Sequence, residues 1–312
     1  MIEKCVNSLR LFQFYLLSVL LFLLPFERVT TVKEIIFFLL IGLFLFEKIF
    51  FRKDLKDYFL KNIRLNIVLI MSFLWAIVSL LNAVNQTYSF NEIITKMTKQ
   101  YILYFVAFCI INDEEDKKLK MLFYLLILSS SIMSIYGCYQ FYKDPVFFQN
   151  RVSGFAGAFY RLATLLVLTI PICLFLTIQS KRYLRFIFLI LFLLMLTALF
   201  LTFTRSAWIA FIAEILIFVN ILFKKYGRIF LISSVIVIVV IVISSYFSIL
   251  PKKILIRGSE KPRIEALSLS LGIIKKYPLT GIGYGKKTFS FYYPEVEDVM
   301  HTHNIFLNTA VE

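Results

Sequence analysis

The fold is decided by residues 186–223, which read FIFLILFLLMLTALFLTFTRSAWIAFIAEILIFVNILF. This stretch is apolar apart from one break, TFTRS at residues 202–206. As a single helix it would be about 57 Å long, at about 1.5 Å per residue. The hydrocarbon core of a bilayer is only about 30 Å thick. The sequence therefore predicts two membrane-spanning helices joined by a tight turn near Arg205.

The composition of the whole chain extends this prediction to a membrane protein. The chain has 312 residues, of which 60% are hydrophobic, and its mean hydropathy is +0.83. Soluble domains are only about half apolar. The formal net charge of +15 is better explained by the Lys and Arg residues of cytoplasmic loops than by nucleic-acid binding. We expect no nucleic-acid partner.

Apolar runs of membrane-spanning length recur along the chain and predict an all-α, polytopic helix bundle. Nine spans are expected, followed by the start of a tenth: 11–25, 35–51, 65–82, 99–111, 121–142, 159–178, two within 186–223, and 229–250. Residues 83–95 are interpreted as a polar link before a short fourth span. The predicted division is a transmembrane bundle over 1–250, an external loop over 251–303, and the tenth span from 304 to 312.

The distribution of Lys and Arg predicts the orientation. These residues are concentrated at the N-terminus and in the links that follow even-numbered spans. Because such charges resist translocation, the N-terminus is expected in the cytoplasm. The 251–303 loop is then expected on the outer, periplasmic face of the cytoplasmic (inner) membrane. This loop is predicted to contain an amphipathic helix over 263–276.

Isolated arginines on the external face are candidates for binding an anion, because a guanidinium donates two parallel hydrogen bonds to phosphate and keeps its charge. Arg205 interrupts apolar sequence on both sides, where it either has a function or extends to the lipid headgroups. Arg263 opens the predicted amphipathic helix, where an ion pair with Glu265 is the alternative. The expected external arginines are Arg151, Arg161, Arg205, Arg257 and Arg263.

Both histidines of the chain lie within three residues, at His301 and His303. A neutral imidazole can remove a proton from a sugar hydroxyl. A structural role is the alternative, with an imidazole or Asn304 capping the next helix. No third ligand accompanies the histidines at a spacing typical of zinc sites. The four cysteines are scattered and predict neither a disulfide framework nor a metal site.

Residues 278–285, PLTGIGYG, form a glycine-rich turn. The turn is not a dinucleotide-binding motif, because no strand precedes it. Gly283 is expected to bring the backbone close to a ligand or to the membrane. Tyr284 is expected to stack on a sugar ring, with packing against headgroups as the alternative.

Four motifs in this order resemble the O-antigen ligase family of polytopic glycosyltransferases, which includes related polysaccharide polymerases. The resemblance covers about 151–312. The motifs are RVSG at 151–154, TRSAW at 204–208, PLTGIGYG at 278–285 and HTHNIFL at 301–307.

The resemblance implies a glycan donor linked to undecaprenyl diphosphate and a lipid A–core or other glycan acceptor, with no cofactor and no metal. By position, Arg205 and Arg263 match the family's arginines, and His303 matches the histidine of its HN motif. We therefore predict these three as catalytic, with the arginines holding the diphosphate and His303 acting as general base. The predicted substrate-binding residues are Arg151, His301, Asn304, Gly283 and Tyr284.

Other functions remain open at this point. A polymerase would use the same donor but a growing lipid-linked glycan as acceptor. A transporter would be expected to carry mid-span charges and an internal repeat, yet Glu214 is the main such charge and no repeat is evident. A non-catalytic assembly partner is a further possibility. The family continues past its glutamate with further helices, so the resemblance implies that the chain ending at Glu312 is C-terminally truncated.

Overall fold

The computed structural model describes residues 2–51, 60, 62–112, 116–143, 151–222, 260–285 and 287–294. Over these ranges the regular elements are helices and none is a strand, which confirms the all-α prediction. The α-helices of these ranges are α1 (Ile2–Leu23), α2 (Thr30–Phe51), α3 (Ile63–Val78), α4 (Gln86–Glu92), α5 (Thr98–Asn112), α6 (Asp116–Lys143), α7 (Phe159–Gln179), α8 (Arg182–Leu201), α9 (Arg205–Leu222), α10 (Glu260–Lys276) and α11 (Thr288–Tyr292).

Seven helical stretches in the described part of the chain are long and apolar enough to span a membrane. Together with the composition they identify an integral membrane protein, whose predicted helix bundle is confirmed. The seven stretches are Val6–Leu23, Glu27–Phe50, Ile63–Asn82, Gln86–Asn112, Lys118–Lys143, Phe159–Gln179 and Arg182–Leu201. The ninth and tenth predicted spans lie outside the described residues, so the total of nine full spans remains a prediction.

The turn predicted near Arg205 is present between two helices, of which α8 is a candidate membrane span. Helix α8 ends at Leu201 and α9 begins at Arg205. The Thr202 hydroxyl donates a hydrogen bond to the Leu199 carbonyl oxygen at 2.7 Å, and Phe203 has a positive φ of 48°. The helical backbone is therefore interrupted at the TFTRS break. Helix α9 contains a shorter apolar segment, Ser206–Phe218.

The prediction of a polar link over 83–95 was wrong. Helix α4 begins at Gln86 and continues through a π-helical turn, Ile93–Met97, into α5. The Asn85 Oδ1 atom accepts a hydrogen bond from the Tyr88 amide at 2.9 Å and caps the first turn. Low hydropathy concealed a helix whose start is stabilised by this cap. The fourth span is accordingly longer than predicted.

The chain separates into two compact units. Unit 1 comprises Met1–Leu43 and Ile110–Leu255, and unit 2 comprises Phe44–Cys109 and Ile256–Glu312. The predicted boundaries at 250 and 303 fall outside the described residues, so that domain division remains a prediction.

The core of unit 1 lies where α7 packs against α8, with α6 packing on both. Helix α7 contributes Leu162, Leu166, Ile170 and Cys173, which recur every three or four residues and are fully buried. This spacing places them on one face of the helix. Small residues such as Ala198 of α8 are also buried here, and they allow helices in lipid to approach closely.

Two small clusters of buried hydrophobic residues are found in the described part of unit 2. Ala76, Ile93 and Met97 form the first, at the end of α3 and in the π-helical turn. The second joins α10, the glycine-rich turn and α11 through Ala266, Ile273, Ile282 and Phe289. The predicted amphipathic helix is therefore present as α10, three residues longer at its N-terminus than expected.

Candidate functional site

The structure describes the predicted site residues to different extents. Arg151, Gly283 and Tyr284 are described with their side chains. The backbone alone is described for Arg205, the first residue of α9, and for Arg263, in the first turn of α10. His301, His303 and Asn304 lie outside the described residues. The roles assigned to all eight residues remain predictions.

In unit 1, the RVSG motif is tied to the turn that precedes Arg205. The Val152 amide donates a hydrogen bond to the Leu201 carbonyl oxygen at 3.4 Å. The Gln140 Oε1 atom accepts hydrogen bonds from the amides of Ser153, at 3.3 Å, and Gly154, at 3.0 Å. The RVSG motif therefore lies beside the last residue of α8, which precedes the TRSAW motif by three residues.

Gln140 was not identified from the sequence as a residue that organises this end of unit 1. It lies in the last turn of α6, where an amide side chain follows a largely apolar span. That position was the only available signal, and it does not indicate which backbone groups the side chain contacts. Its contacts satisfy backbone amides of the RVSG loop, which would otherwise lack a partner.

Two arginines at this end of unit 1 have defined surroundings. The Arg151 guanidinium lies 4.3 Å from the centre of the Phe159 ring, within the range of a cation–π contact. The Arg161 Nη1 atom lies 2.6 Å from Glu27 Oε1. Arg161 was expected to be one of the external arginines available to an anion, but its charge is matched by Glu27. The sequence analysis did not identify this glutamate.

In unit 2, the glycine-rich turn is bound to the segment that follows α3. The Asn82 Nδ2 atom donates a hydrogen bond to Thr280 Oγ1 at 2.6 Å. The Val84 amide donates to the Ile282 carbonyl oxygen at 3.0 Å. Because Asn82 ends a candidate membrane span, the turn lies at that end of the span.

The turn requires glycine at position 283, for reasons of backbone conformation and space. Gly283 has a φ of 105° and is buried. A Cβ atom added there would lie 2.6 Å from both the Ala83 Cβ atom and the Ser89 Oγ atom. The backbone was expected to approach a ligand or the membrane, whereas it packs against the chain's own 83–89 segment.

Tyr284 and Tyr88 also join the glycine-rich turn and the residues after it to the 83–97 segment. Tyr284 packs against the first core cluster of unit 2, which contains Ile93 and Met97. The Tyr88 Oη atom accepts a hydrogen bond from the Lys287 amide at 3.3 Å, and its ring forms an edge-to-face pair with Phe291. Tyr88 was absent from the predicted site because it lay in the supposed polar link.

We expect Gly283→Ala to destabilise the protein by about 1–3 kcal/mol, because an L-residue is strained at this φ and its Cβ would overlap Ala83. Gly272→Ala is the matched control. Its Cβ would meet only the Tyr293 hydroxyl at 3.8 Å, and alanine favours the helix. Thermal unfolding of the purified protein in detergent should show a lower Tm for Gly283→Ala and an equal or higher Tm for Gly272→Ala. Equal Tm values for the two variants would contradict the packing described here.

Within the described ranges, no group of three or more His, Cys, Asp or Glu side chains is arranged to hold a metal ion. Cys138 and Cys173 are free thiols.

The comparison with protein families matches residues 190–312 to the family model described as O-Antigen ligase. The similarity to this family covers less than half of the chain. No curated protein matches the chain significantly, and no solved structure does either. The match confirms the predicted resemblance and supports a membrane glycosyltransferase of the ligase or polymerase type, acting in general on polysaccharide and lipid-linked substrates.

The matched residues include three of the four motifs on which the resemblance was based. Arg205, the glycine-rich turn and the HTHN sequence lie inside the matched residues. The RVSG motif at 151–154 precedes them, so the match begins later than the predicted start near 151. Its hydrogen bond to the end of α8 nevertheless connects the RVSG loop to a helix of the matched domain.

Proposed function

We propose that this protein is an O-antigen ligase that transfers a glycan from undecaprenyl diphosphate to a lipid A–core hydroxyl. The observation that carries the proposal is the O-antigen ligase match over residues 190–312, which includes the positions of Arg205, Arg263 and His303. The reaction takes place at the outer face of the cytoplasmic membrane, where the lipid-linked donor and the acceptor share the same bilayer.

The proposed reaction is a single displacement at the anomeric carbon. His303 removes the proton from the acceptor hydroxyl, and the oxygen attacks the anomeric carbon from the face opposite the diphosphate. The bond between that carbon and the diphosphate oxygen breaks, and its electron pair remains on the departing undecaprenyl diphosphate. The configuration of the transferred sugar is therefore inverted.

Arg205 and Arg263 stabilise the charge that develops on the departing diphosphate. A guanidinium keeps its proton and can donate two parallel hydrogen bonds to phosphate. Arg205 is the first residue of α9, and a helix N-terminus favours nearby negative charge through its unpaired amides and its dipole. Arg151 is proposed to assist in binding the donor, because its loop is hydrogen-bonded to the end of α8.

Contacts within each unit support the proposed topology. In unit 1, the link after α1 meets the 151–158 loop through the Arg161–Glu27 ion pair and the Phe26–Phe155 ring contact. In unit 2, residues 82–88 meet residues 280–287. The charge distribution assigns each of these links to the external side, and links on the same side of a membrane are able to contact each other.

The experiment is to delete the gene and analyse the glycans on the undecaprenyl carrier and on the lipid A–core. Loss of a ligase leaves full-length chains on the carrier and an uncapped core. Full-length core-linked glycan in the deletion strain would contradict the proposal. Cores that carry single repeats would instead identify a polymerase.

A further inference from the structure

Helix α10 exposes an apolar stripe beside its buried face. Ala266, Ser270 and Ile273 are fully buried, whereas Leu267 and Leu271 are 43% and 46% exposed. The two leucines are four residues apart and therefore lie on one side of the helix, one turn apart. A leucine pair exposed in this way on a helix of mixed polarity is available to an apolar environment.

The position of α10 within unit 2 indicates what that environment is. The helix ends at Lys276, and the turn directly after it is hydrogen-bonded to Asn82 and Val84. Asn82 is the last residue of a candidate membrane span, so this end of α10 lies at the level where the bilayer surface begins. Leu279, in the same turn, is 69% exposed and extends the apolar surface to that level.

The polar side chains around the stripe match the chemistry of a lipid headgroup layer. Lys275 and Lys276 occupy the last turn of α10 and are exposed. The Lys276 Nζ atom donates a hydrogen bond to Tyr292 Oη at 3.3 Å and lies 5.3 Å from the centre of the Tyr277 ring. The hydrogen bond to Tyr292 raises the pKa of Lys276. Lysine and tyrosine are typical of the interface between membrane and water.

We infer that α10 lies along the membrane surface, with Leu267, Leu271 and Leu279 at the boundary between headgroups and acyl chains. Lys275 and Lys276 then contact the phosphates of anionic phospholipids. The occupant of the stripe is the bilayer that holds the adjacent span, rather than a second protein. This inference rests on the contacts within unit 2 and does not depend on the glycosyltransferase activity.

The test places a tryptophan on each side of α10 in the full chain, reconstituted in lipid nanodiscs. Leu267→Trp and Leu271→Trp lie on the stripe. Gly272→Trp is the matched control, because Gly272 is exposed and lies about 140° around the helix from Leu267 and about 100° from Leu271. The emission of the two natural tryptophans, Trp75 and Trp208, is subtracted using the parent protein. Phospholipids brominated on the acyl carbons near the glycerol should quench about half of the added emission at 267 and 271, since interfacial helices bury their apolar face about 5–10 Å deep. Emission from Gly272→Trp should be little changed.

Equal quenching at all three positions, or none at 267 and 271, would overturn the inference. Blue-shifted emission at 267 and 271 that the brominated lipids do not quench would indicate that a protein partner covers the stripe, and it would overturn the inference equally.

A second experiment compares nanodiscs of phosphatidylcholine with nanodiscs that also contain phosphatidylglycerol. The Leu271→Trp emission should shift to the blue with the anionic lipid, and Lys275→Gln with Lys276→Gln should remove the shift. A shift that persists without both lysines would rule out their contact with the phosphates.

Discussion

The His303→Ala variant should lose glycan transfer by about 10²- to 10⁴-fold, the usual contribution of a general base, while its amount in the membrane stays at the level of the parent. Without the imidazole, the acceptor hydroxyl has no group to take its proton as its oxygen attacks. The measurement is the rate at which core-linked glycan appears in a deletion strain that expresses each variant.

His301→Ala is the matched control for this substitution, because it removes the other histidine two residues away. We expect a smaller loss from His301→Ala, whose predicted role is to bind substrate rather than to transfer the proton. If His303→Ala transfers glycan at the parental rate, or if the two substitutions have equal effects, the assignment of His303 as the base is wrong.

Arg205→Ala should reduce transfer by about 10²- to 10³-fold, the size of effect seen when one charge-stabilising donor is removed from an active site. Arg205→Lys distinguishes a contact between Arg205 and the diphosphate from extension of its side chain to the lipid headgroups. A lysine can extend to the headgroups as well as an arginine does, so a snorkelling role predicts full activity. A bidentate contact to the diphosphate predicts that Arg205→Lys remains impaired, because an ammonium lacks the planar fork.

Arg161→Gln serves as the control for loss of an arginine from the same predicted side of the membrane. Arg161 already pairs with Glu27 at 2.6 Å, and both side chains are about half exposed. Exposed ion pairs contribute about 0–1 kcal/mol to stability, so this variant should fold and retain transfer. A loss of activity in Arg161→Gln as large as that in Arg205→Ala would show that the effect is a general consequence of removing charge.

Much of the architecture could be predicted because the bilayer imposes simple length and polarity requirements. The turn at residues 202–206 follows from the thickness of the hydrocarbon core, and α8 and α9 end and begin on either side of it. The amphipathic helix was also predicted within a few residues. The prediction failed at residues 83–95, where hydropathy is low and the helical signal is the Asn85 cap, a local contact that average hydropathy does not report.

The candidate site could be predicted only as a set of residue types in order along the chain. The motif order led to the O-antigen ligase family, and the family match confirmed it over residues 190–312. The contacts that organise the surrounding segments were missed. Gln140, Glu27 and Tyr88 each act on a partner that is distant in sequence, and nothing in their own neighbourhood identifies that partner.

The sequence by itself determined that this chain spans a membrane. It also determined that a helix is interrupted just before Arg205 and which family the C-terminal part resembles. These properties follow from hydrophobic length and motif order, which are local or additive along the chain. The tertiary structure alone decided that Gly283 packs against Ala83 and that Asn82 binds Thr280, a residue 198 positions away. Such contacts depend on complementary shapes and hydrogen-bonding groups brought together by folding, and neither partner carries a signal that specifies the other.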